Sequence, residues 1–162
     1  MTIRLNDILV PQRVVCRPQV SSKKRALELL SERMAAAGSG LTQVEALESL
    51  FDRERLGSTG LGHGVAIPHG RIRNLEQPIA SFLHLRQGVP YDAVDGRPVA
   101  LILALLVPDR AVTDHLVLLA QLAEMFNDAT LCARLHAANN EADVYSLLTT
   151  WQSSAAQPAV QS

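Results

Sequence analysis

The feature that most limits the fold of this chain is a run of nine consecutive apolar residues, 99–107, between Pro98 and Pro108. The run does not alternate between apolar and polar residues, as a strand with one exposed face does. A strand that is apolar at every position is covered on both faces. The run reaches about half of the roughly 20 residues that a membrane span requires. We therefore predict a central buried strand.

Strand and helix patterns alternate along the rest of the chain. They predict a helical turn at 4–8, strands at Val14–Cys16, 65–69 and 78–85, and helices from Ser21 or Ser22 to about Ala37, from Thr42 to between Arg53 and Leu56, and at 112–126, 129–138 and 141–151. Strands interspersed with helices predict an α/β domain over residues 1–152, a mixed β-sheet sandwiched between helices in three layers (α/β/α). Residues 153–162 show no amphipathic period and predict a disordered tail.

Two local motifs sharpen these boundaries. Thr42 and Glu45 match a capping box, in which the first turn of a helix makes reciprocal side-chain and backbone hydrogen bonds. Asp95-Gly96 is a strong turn signal between the last two predicted strands.

Composition excludes several classes of protein. The 162 residues are 48% hydrophobic, which suits one domain with a substantial core. Because 15 basic side chains balance 16 acidic ones, nothing favours nucleic acid or an anionic membrane as a partner.

Cys16 and Cys132 show neither a metal-site spacing nor a disulfide framework, and they predict buried thiols in a reducing compartment. The N-terminus lacks the apolar segment of a signal peptide. We expect a cytoplasmic protein that does not insert into a membrane.

A glycine-rich run, residues 57–64, leads directly into Val65-Ala66-Ile67-Pro68-His69-Gly70. Its four glycines permit backbone conformations that a Cβ forbids, and they permit close approach of another molecule. Pro68 removes a backbone donor and holds its neighbour extended, which predicts an edge strand or a strand end. His69 would then lie at the end of a rigid element, beside available backbone N–H groups. Since imidazole can be neutral and nucleophilic near pH 7, the arrangement indicates a histidine that handles an anion, with a phosphoryl group the leading candidate.

Other kinds of site fit the glycine-rich run less well. It follows a predicted helix and precedes a strand, whereas nucleotide P-loops and dinucleotide fingerprints open a helix. Ser58 lacks the G-x-S-x-G context of a hydrolase nucleophile. An oxyanion cradle remains chemically open, with Ser58, Thr59 and Gly60 as the candidate phosphate-binding loop.

The remaining histidines divide by their positions. His84 lies in a predicted strand and His136 near a helix end, and both are assigned structural roles. No Cys, His or Asp cluster has the spacing of a zinc site, so no metal is predicted. His115 falls in the first turn of the predicted 112–126 helix, where the partial positive charge of a helix N-terminus favours an anion.

The segment from Arg53 to Gly70 resembles the active-site region of enzyme IIA domains of the fructose/mannitol class of the phosphotransferase system. Within that class it is most similar to the nitrogen-regulatory branch. Residues 91–99, residues 103–108 and Asp114-His115-Leu116 also resemble the family, so that the resemblance spans roughly residues 5–150. It implies a mixed sheet between helices, and a domain that accepts a phosphoryl group from a small phosphocarrier protein of the HPr or NPr type.

The resemblance also implies roles for individual residues. His69 matches the phosphorylated histidine, and His115 matches a second active-site histidine that supports the first through hydrogen bonding or charge. Arg53 matches an arginine near the active site. No cofactor or metal is implied. Where near relatives carry asparagine this chain has His63, which we interpret as neutral variation, although it could tune the loop or add a third imidazole to the site.

Two functional classes remain open at this point. A free-standing enzyme IIA predicts a regulatory relay in nitrogen, carbon or potassium homeostasis, acting on target proteins by direct contact. A sugar-specific enzyme IIA would instead pass its phosphoryl group to an enzyme IIB during uptake of fructose or mannitol. A third and weaker class is a binding module that has lost phosphorylation, and the presence of His69, His115 and Arg53 argues against it.

Overall fold

The computed structural model describes residues 4–36, 40–110 and 112–152, and for Val112 it describes the backbone alone. In chain order the elements are α1 (Leu5–Ile8), a 3₁₀ turn (Pro11–Arg13), β1 (Val14–Cys16), α2 (Lys23–Met34), α3 (Gln43–Glu54), β2 (Gly60–Gly62), β3 (Val65–Ala66), β4 (His69–Ile72), β5 (Ile79–Val89), β6 (Val99–Pro108), α4 (Val112–Phe126), α5 (Ala129–Ala137) and α6 (Glu141–Thr150). The predicted end of the second helix at Ala37 and the predicted tail 153–162 lie outside the described residues.

The apolar run forms β6, the central strand of a mixed six-stranded sheet. On one side β6 pairs antiparallel with β5, and on the other it pairs in parallel with both β3 and β4. β1 pairs in parallel with β5, and β2 pairs antiparallel with β3. Along β6 the odd-numbered residues from 101 to 107 belong to one apolar cluster and the even-numbered residues from 102 to 106 to the other. Because successive side chains of a strand point to opposite faces, both faces of β6 are buried, as predicted.

Helices cover the two faces of the sheet and complete the three layers. Apolar side chains of α1, α4, α5 and α6 pack on one face, and those of α2 and α3 pack on the other. The rings of Phe82 on β5 and Phe126 on α4 stack with centroids 6.0 Å apart. Each large apolar side chain buried in this way stabilises the fold by about 1.5–3 kcal/mol relative to an exposed one. The predicted α/β architecture is confirmed.

On one face of the sheet, α4 and α5 follow each other in the chain and meet at a bend. Across the described ranges, no single helix combines the length and the apolar composition that a membrane crossing requires. α4 and α5 have the required length and apolar composition only when they are taken together, and the pair is bent by 72°.

Capping residues begin the two helices of the other face where the sequence predicts. The Ser22 hydroxyl accepts a hydrogen bond from the Arg25 N–H at 3.1 Å at the start of α2. At the start of α3, the Thr42 hydroxyl accepts from the Glu45 N–H at 3.1 Å, and a Glu45 carboxylate oxygen accepts from the Thr42 N–H at 3.3 Å. The predicted capping box is therefore present. Such caps contribute about 1 kcal/mol each.

The prediction of one continuous strand over residues 65–69 is wrong, because the structure has two short strands there. Ile67 and Pro68 separate β3 from β4, because Pro68 has no N–H for the ladder. The Pro68 carbonyl still accepts from the Leu105 N–H at 2.9 Å, so both short strands follow β6. Part of the glycine-rich run, expected as a loop, forms β2. The strand predicted at 78–85 continues as β5 to Val89.

The two cysteines are free thiols, and both are half-buried rather than buried as predicted. Cys16 ends β1, an edge strand of the sheet, and Cys132 lies on α5. Positions at an edge and on an outer helix leave part of each side chain in solvent. Partial burial still raises the pKa of each thiol above its ordinary value.

Candidate functional site

His69 begins β4, and the neighbouring backbone fixes its tautomer. Its Nδ1 lies 2.8 Å from the carbonyl oxygen of Ile67. Because a carbonyl only accepts hydrogen bonds, Nδ1 carries the proton of the neutral imidazole. Nε2 is therefore the unprotonated nitrogen, with a lone pair available to an electrophile. An acceptor on the other ring nitrogen is what selects one tautomer of a neutral imidazole, and here that acceptor is the Ile67 carbonyl.

The surroundings of His69 also keep the ring neutral. Burial has the largest effect and lowers the pKa of the imidazole below its usual 6.5, while the hydrogen bond to Ile67 opposes that shift. The guanidinium groups of Arg53 and Arg71 lower the pKa further, and the carboxylate of Glu54 partly offsets them. At neutral pH the ring is uncharged and nucleophilic.

The His69 side chain lines a cavity of about 640 Å³ between α3, β4 and α4. Arg53 on α3 and His115 on α4 line the same cavity. His69, Arg53 and His115, which lie on three different elements, therefore line one cavity. The geometry supplies a nucleophile, a second imidazole and a permanent cation within reach of one bound group.

His115 carries the strongest sign that this cavity receives a ligand. Its side chain is only 5% exposed, yet neither ring nitrogen has a hydrogen-bond partner in the part of the chain that the structure describes. Buried polar atoms without partners are rare, because each costs the free energy of its lost hydration. Burial, and then the nearby Arg71 guanidinium, lower the pKa of His115, while Asp114 opposes them. A neutral imidazole with an unused N–H donor faces the cavity of His69.

Two arginines supply positive charge to the cavity. The Nη1 of Arg53, in the last turn of α3, donates to the carbonyl of Gly57 at 2.8 Å. Arg71 also lines the cavity and was missed by the sequence analysis. It follows His69 by two residues on β4, and this period-two spacing, which places both side chains on one face of the strand, is the signal that would have found it. Guanidinium groups bind phosphoryl oxygens through charge-assisted hydrogen bonds.

Ser58, Thr59 and Gly60 line a second cavity of about 300 Å³ together with Arg53 and His69. The loop therefore lies where the sequence places it, but its donors are not available as expected. The Thr59 N–H donates to the Glu54 carboxylate, the Gly60 N–H donates to Ser58 Oγ at 3.1 Å, and Ser58 Oγ donates to the Tyr91 carbonyl at 3.0 Å. With these bonds the loop forms a wall of the site, and its role in binding phosphate stays a prediction.

His63 is separate from this site. It lines another cavity, beside the C-terminal end of α4, and belongs to neither cavity that His69 lines. The alternative of a third imidazole at the site is therefore not supported. Its φ of 56° is in the left-handed region, where asparagine is more favourable than most residues, and its N–H donates to Asp95 Oδ2 at 2.8 Å.

His84 and His136 form a contact away from the described cavities of His69. Their rings meet edge to face with centroids 6.0 Å apart, and His84 Nδ1 lies 3.4 Å from Cys16 Sγ. Among the described residues there is no group of three or more His, Cys, Asp or Glu side chains placed to hold a metal ion.

Comparison with known proteins agrees with the family resemblance of the sequence. The family model described as "Phosphoenolpyruvate-dependent sugar phosphotransferase system, EIIA 2" matches residues 7–151. The chain is 41% identical over 150 residues to a nitrogen regulatory protein of Pseudomonas aeruginosa, covering 93% of this chain and 97% of that one. It is 30% identical over 128 residues to a fructose-specific EIIA component of Haloferax volcanii, covering 79% and 83%. The crystal structure of the nitrogen regulatory protein IIA-Ntr of Neisseria meningitidis superposes with a TM-score of 0.84 at 40% identity, covering 90% and 99%.

Proposed function

The chain belongs to the EIIA 2 family of the phosphoenolpyruvate-dependent sugar phosphotransferase system, and within that system we propose that it is a phosphohistidine relay protein. In this proposal His69 accepts a phosphoryl group from a small phosphocarrier protein of the HPr or NPr type in the cytoplasm. The observation that carries the proposal is the pairing of a tautomer-fixed His69 with a buried, unpartnered His115 in one cavity.

The positions of the His69 and Ile67 atoms support the following transfer step. The Nε2 lone pair of His69 attacks the phosphorus of the carrier's phosphohistidine, the carrier's P–N bond breaks, and its electron pair returns to the carrier's ring nitrogen. A P–N bond to Nε2 forms as the other breaks. The Ile67 carbonyl keeps its hydrogen bond to Nδ1–H and stabilises the positive charge that develops on the ring. Phosphoryl transfer needs little more than such positioning and charge compensation.

The remaining residues of the cavity compensate charge on the transferred group. His115 can donate an N–H to one phosphoryl oxygen, and this bond would satisfy a buried donor that lacks a partner among the described residues. Arg53 and Arg71 line the same cavity as His69 and supply permanent positive charge there. A ligand with several anionic oxygens suits this combination of donors better than a neutral one does.

Two destinations for the phosphoryl group differ in the class of acceptor. Relatives named nitrogen regulatory proteins, at 41% identity for the one from P. aeruginosa, favour a regulatory relay whose phosphorylation state is read by target proteins. The fructose-specific relative from H. volcanii, at 30% identity, favours the alternative of transfer to an enzyme IIB during sugar uptake. We propose the regulatory role as the first candidate.

The test is phosphorylation from phosphoenolpyruvate by enzyme I and each candidate carrier, followed by intact-protein mass spectrometry under alkaline conditions. We expect the chain to gain one phosphoryl group, and we expect His69→Ala to gain none while keeping its circular dichroism spectrum. His136→Ala is the matched control and should be labelled like the parent chain. Label retained in His69→Ala would contradict the proposal.

The same assay separates the two destinations. Faster labelling from the nitrogen-branch carrier, with no transfer to enzyme IIB, supports the regulatory role. Rapid transfer from the labelled chain to a fructose or mannitol enzyme IIB supports the sugar-specific alternative.

A further inference from the structure

A buried carboxylate lies directly behind the wall of the His69 site. Glu54 is the last residue of α3, next to Arg53, and its side chain is only 5% exposed. Its carboxylate accepts hydrogen bonds from the Thr59 N–H at 3.2 and 3.3 Å, from the Thr59 hydroxyl, and from the Tyr91 hydroxyl at 3.1 Å. Lys23 of α2 completes the set, with Nζ 2.7 Å from Oε2. A buried charge is tolerated when it is both paired and hydrogen-bonded, and Glu54 is both.

Tyr91 is the second centre of this network. Its side chain is 1% exposed, and its hydroxyl lies within hydrogen-bond distance of both Glu54 and Thr59. Burial, and then the Glu54 charge, raise the pKa of the phenol far above its ordinary value, so that it remains a donor. The Lys23 ammonium lies 4.3 Å above the Tyr91 ring, which is cation–π distance.

The network ties down three consecutive residues of the glycine-rich run. Gly57 accepts a hydrogen bond from Arg53 through its carbonyl, Ser58 donates to the Tyr91 carbonyl, and Thr59 donates to Glu54. Gly60 then packs so closely that a Cβ added there would lie 2.7 Å from the Cβ of Ala93. The segment 57–60, of which residues 58–60 line the smaller cavity of His69, has little freedom to shift.

The stability of the fold alone does not explain why a buried ionic network lies beside His69. Removing a pair of charges from water costs about as much as their attraction returns, and well-packed apolar residues often stabilise a fold equally well. The bonds of Glu54 and Tyr91 instead converge on the segment that holds Arg53 and borders His69. This geometry suits a role in fixing the position of segment 57–60.

We propose that Glu54 and Tyr91 are positioning residues for phosphoryl transfer, which hold segment 57–60 and thereby the guanidinium of Arg53 beside His69. This inference rests on the proposed function. Neither residue lines a cavity with His69, so each acts through Thr59, Ser58 and Gly57 rather than on the phosphoryl group.

The test measures the transfer rate constant at saturating phosphorylated carrier, the KM for the carrier and the final labelled fraction in Glu54→Gln and Tyr91→Phe. We expect the rate constant to fall about tenfold in Glu54→Gln and about threefold in Tyr91→Phe, with KM changed less than about twofold, since small displacements of a positioned group cost rate. Labelling should still reach completion in both. A merely structural role would lower the folded fraction and the labelled endpoint, and would leave the rate per labelled molecule unchanged.

Matched controls come from the same residue types elsewhere. Glu28→Gln on α2 and Tyr145→Phe on α6 should transfer at the parental rate. Tyr91→Phe removes one hydroxyl and keeps the buried ring, and so it tests the inference if Glu54→Gln fails to fold.

Parental rates in a folded Glu54→Gln, or in Tyr91→Phe, would overturn the positioning role while leaving the proposed function intact. An unlabelled parent chain would overturn both.

Discussion

At the scale of single residues, the site depends on two imidazoles held in different ways. His69 is fixed by one hydrogen bond to its own strand, which leaves Nε2 free to react. His115 is buried with both nitrogens unpaired among the described residues, which is an unfavourable state for the protein alone. An anion bound in the cavity, as the proposed function requires, would give His115 the hydrogen-bond partner that it lacks among the described residues.

His115→Ala tests this arrangement. We expect the variant to fold, because the change removes unpartnered polar atoms from the interior, and to accept the phosphoryl group about 100- to 1,000-fold more slowly, as when an oxyanion donor is deleted. Stopped-quench labelling from phosphorylated carrier gives the rate. His115→Asn, which keeps an N–H donor, should recover part of it. An unchanged rate in His115→Ala would remove this residue from the mechanism.

At the scale of elements, the contact between α3 and β4 decides how closely Arg53 and His69 approach each other. Gly70 on β4 lies against Ser49 on α3, and an added Cβ would lie 2.1 Å from Ser49 Oγ and 2.8 Å from its carbonyl oxygen. Ser49 Oγ also donates to the Arg71 carbonyl at 2.9 Å. The glycine after the reactive histidine is therefore required by packing between a helix and a strand.

Gly70→Ala should separate these two elements. We expect a loss of about 1–3 kcal/mol in the free energy of unfolding, typical of overpacking, together with slower labelling of His69 because its strand is displaced. Urea denaturation and the carrier assay measure the two effects.

The matched control for this change is Gly88→Ala on β5. An added Cβ there would lie 2.8 Å from Pro98 Cβ, away from the cavities of His69. It should lower stability without slowing the rate per folded molecule. Equal slowing in both variants would show that lost stability, and not displacement of β4, explains the effect.

At the scale of the whole molecule, the histidines link stability to pH. Burial lowers the pKa of four of them below 6.5: His69, His84, His115 and His136. Between each lowered pKa and 6.5 the unfolded chain binds more protons than the folded chain. Stability consequently rises with pH through this window and falls as the medium is acidified.

We expect the free energy of unfolding to change little near pH 7.5, and to decrease as the pH falls through 6.5, the usual histidine pKa. The carboxyl groups of Asp95 and Asp128, whose pKa values are held below 3.8, lose their contribution only in more acidic solution. Urea denaturation at a series of pH values measures the slope. Stability that increases on acidification to about pH 5.5 would contradict the burial of these rings in their neutral form.

Much of the fold follows from local rules that sequence patterns express directly. The unbroken apolar run predicts β6 because no other arrangement hides both of its faces, and Thr42 with Glu45 predicts the start of α3 because the capping box is complete within four residues. The motif around His69 indicates the reactive histidine and, through resemblance, its partners His115 and Arg53.

Tertiary structure decided the features that depend on contacts between residues far apart in the chain. The sequence predicted available N–H donors in residues 57–64, but Glu54, Ser58 and Asp95 occupy several of them, because the fold places these acceptors within hydrogen-bond distance of the run. Pairing with β3 made Gly60–Gly62 part of a sheet, which no local signal in a glycine-rich run indicates.

By itself, then, the sequence determined the layers and the central strand, and it selected His69 as the histidine proposed to react, since periodicity or a contiguous motif encodes each of these features. The fold alone determined the tautomer of His69, the unpaired burial of His115, and the entry of Arg71 into the site. Those properties arise from distances between elements far apart in the chain, and such distances are set only when the sheet and its two helical layers pack together.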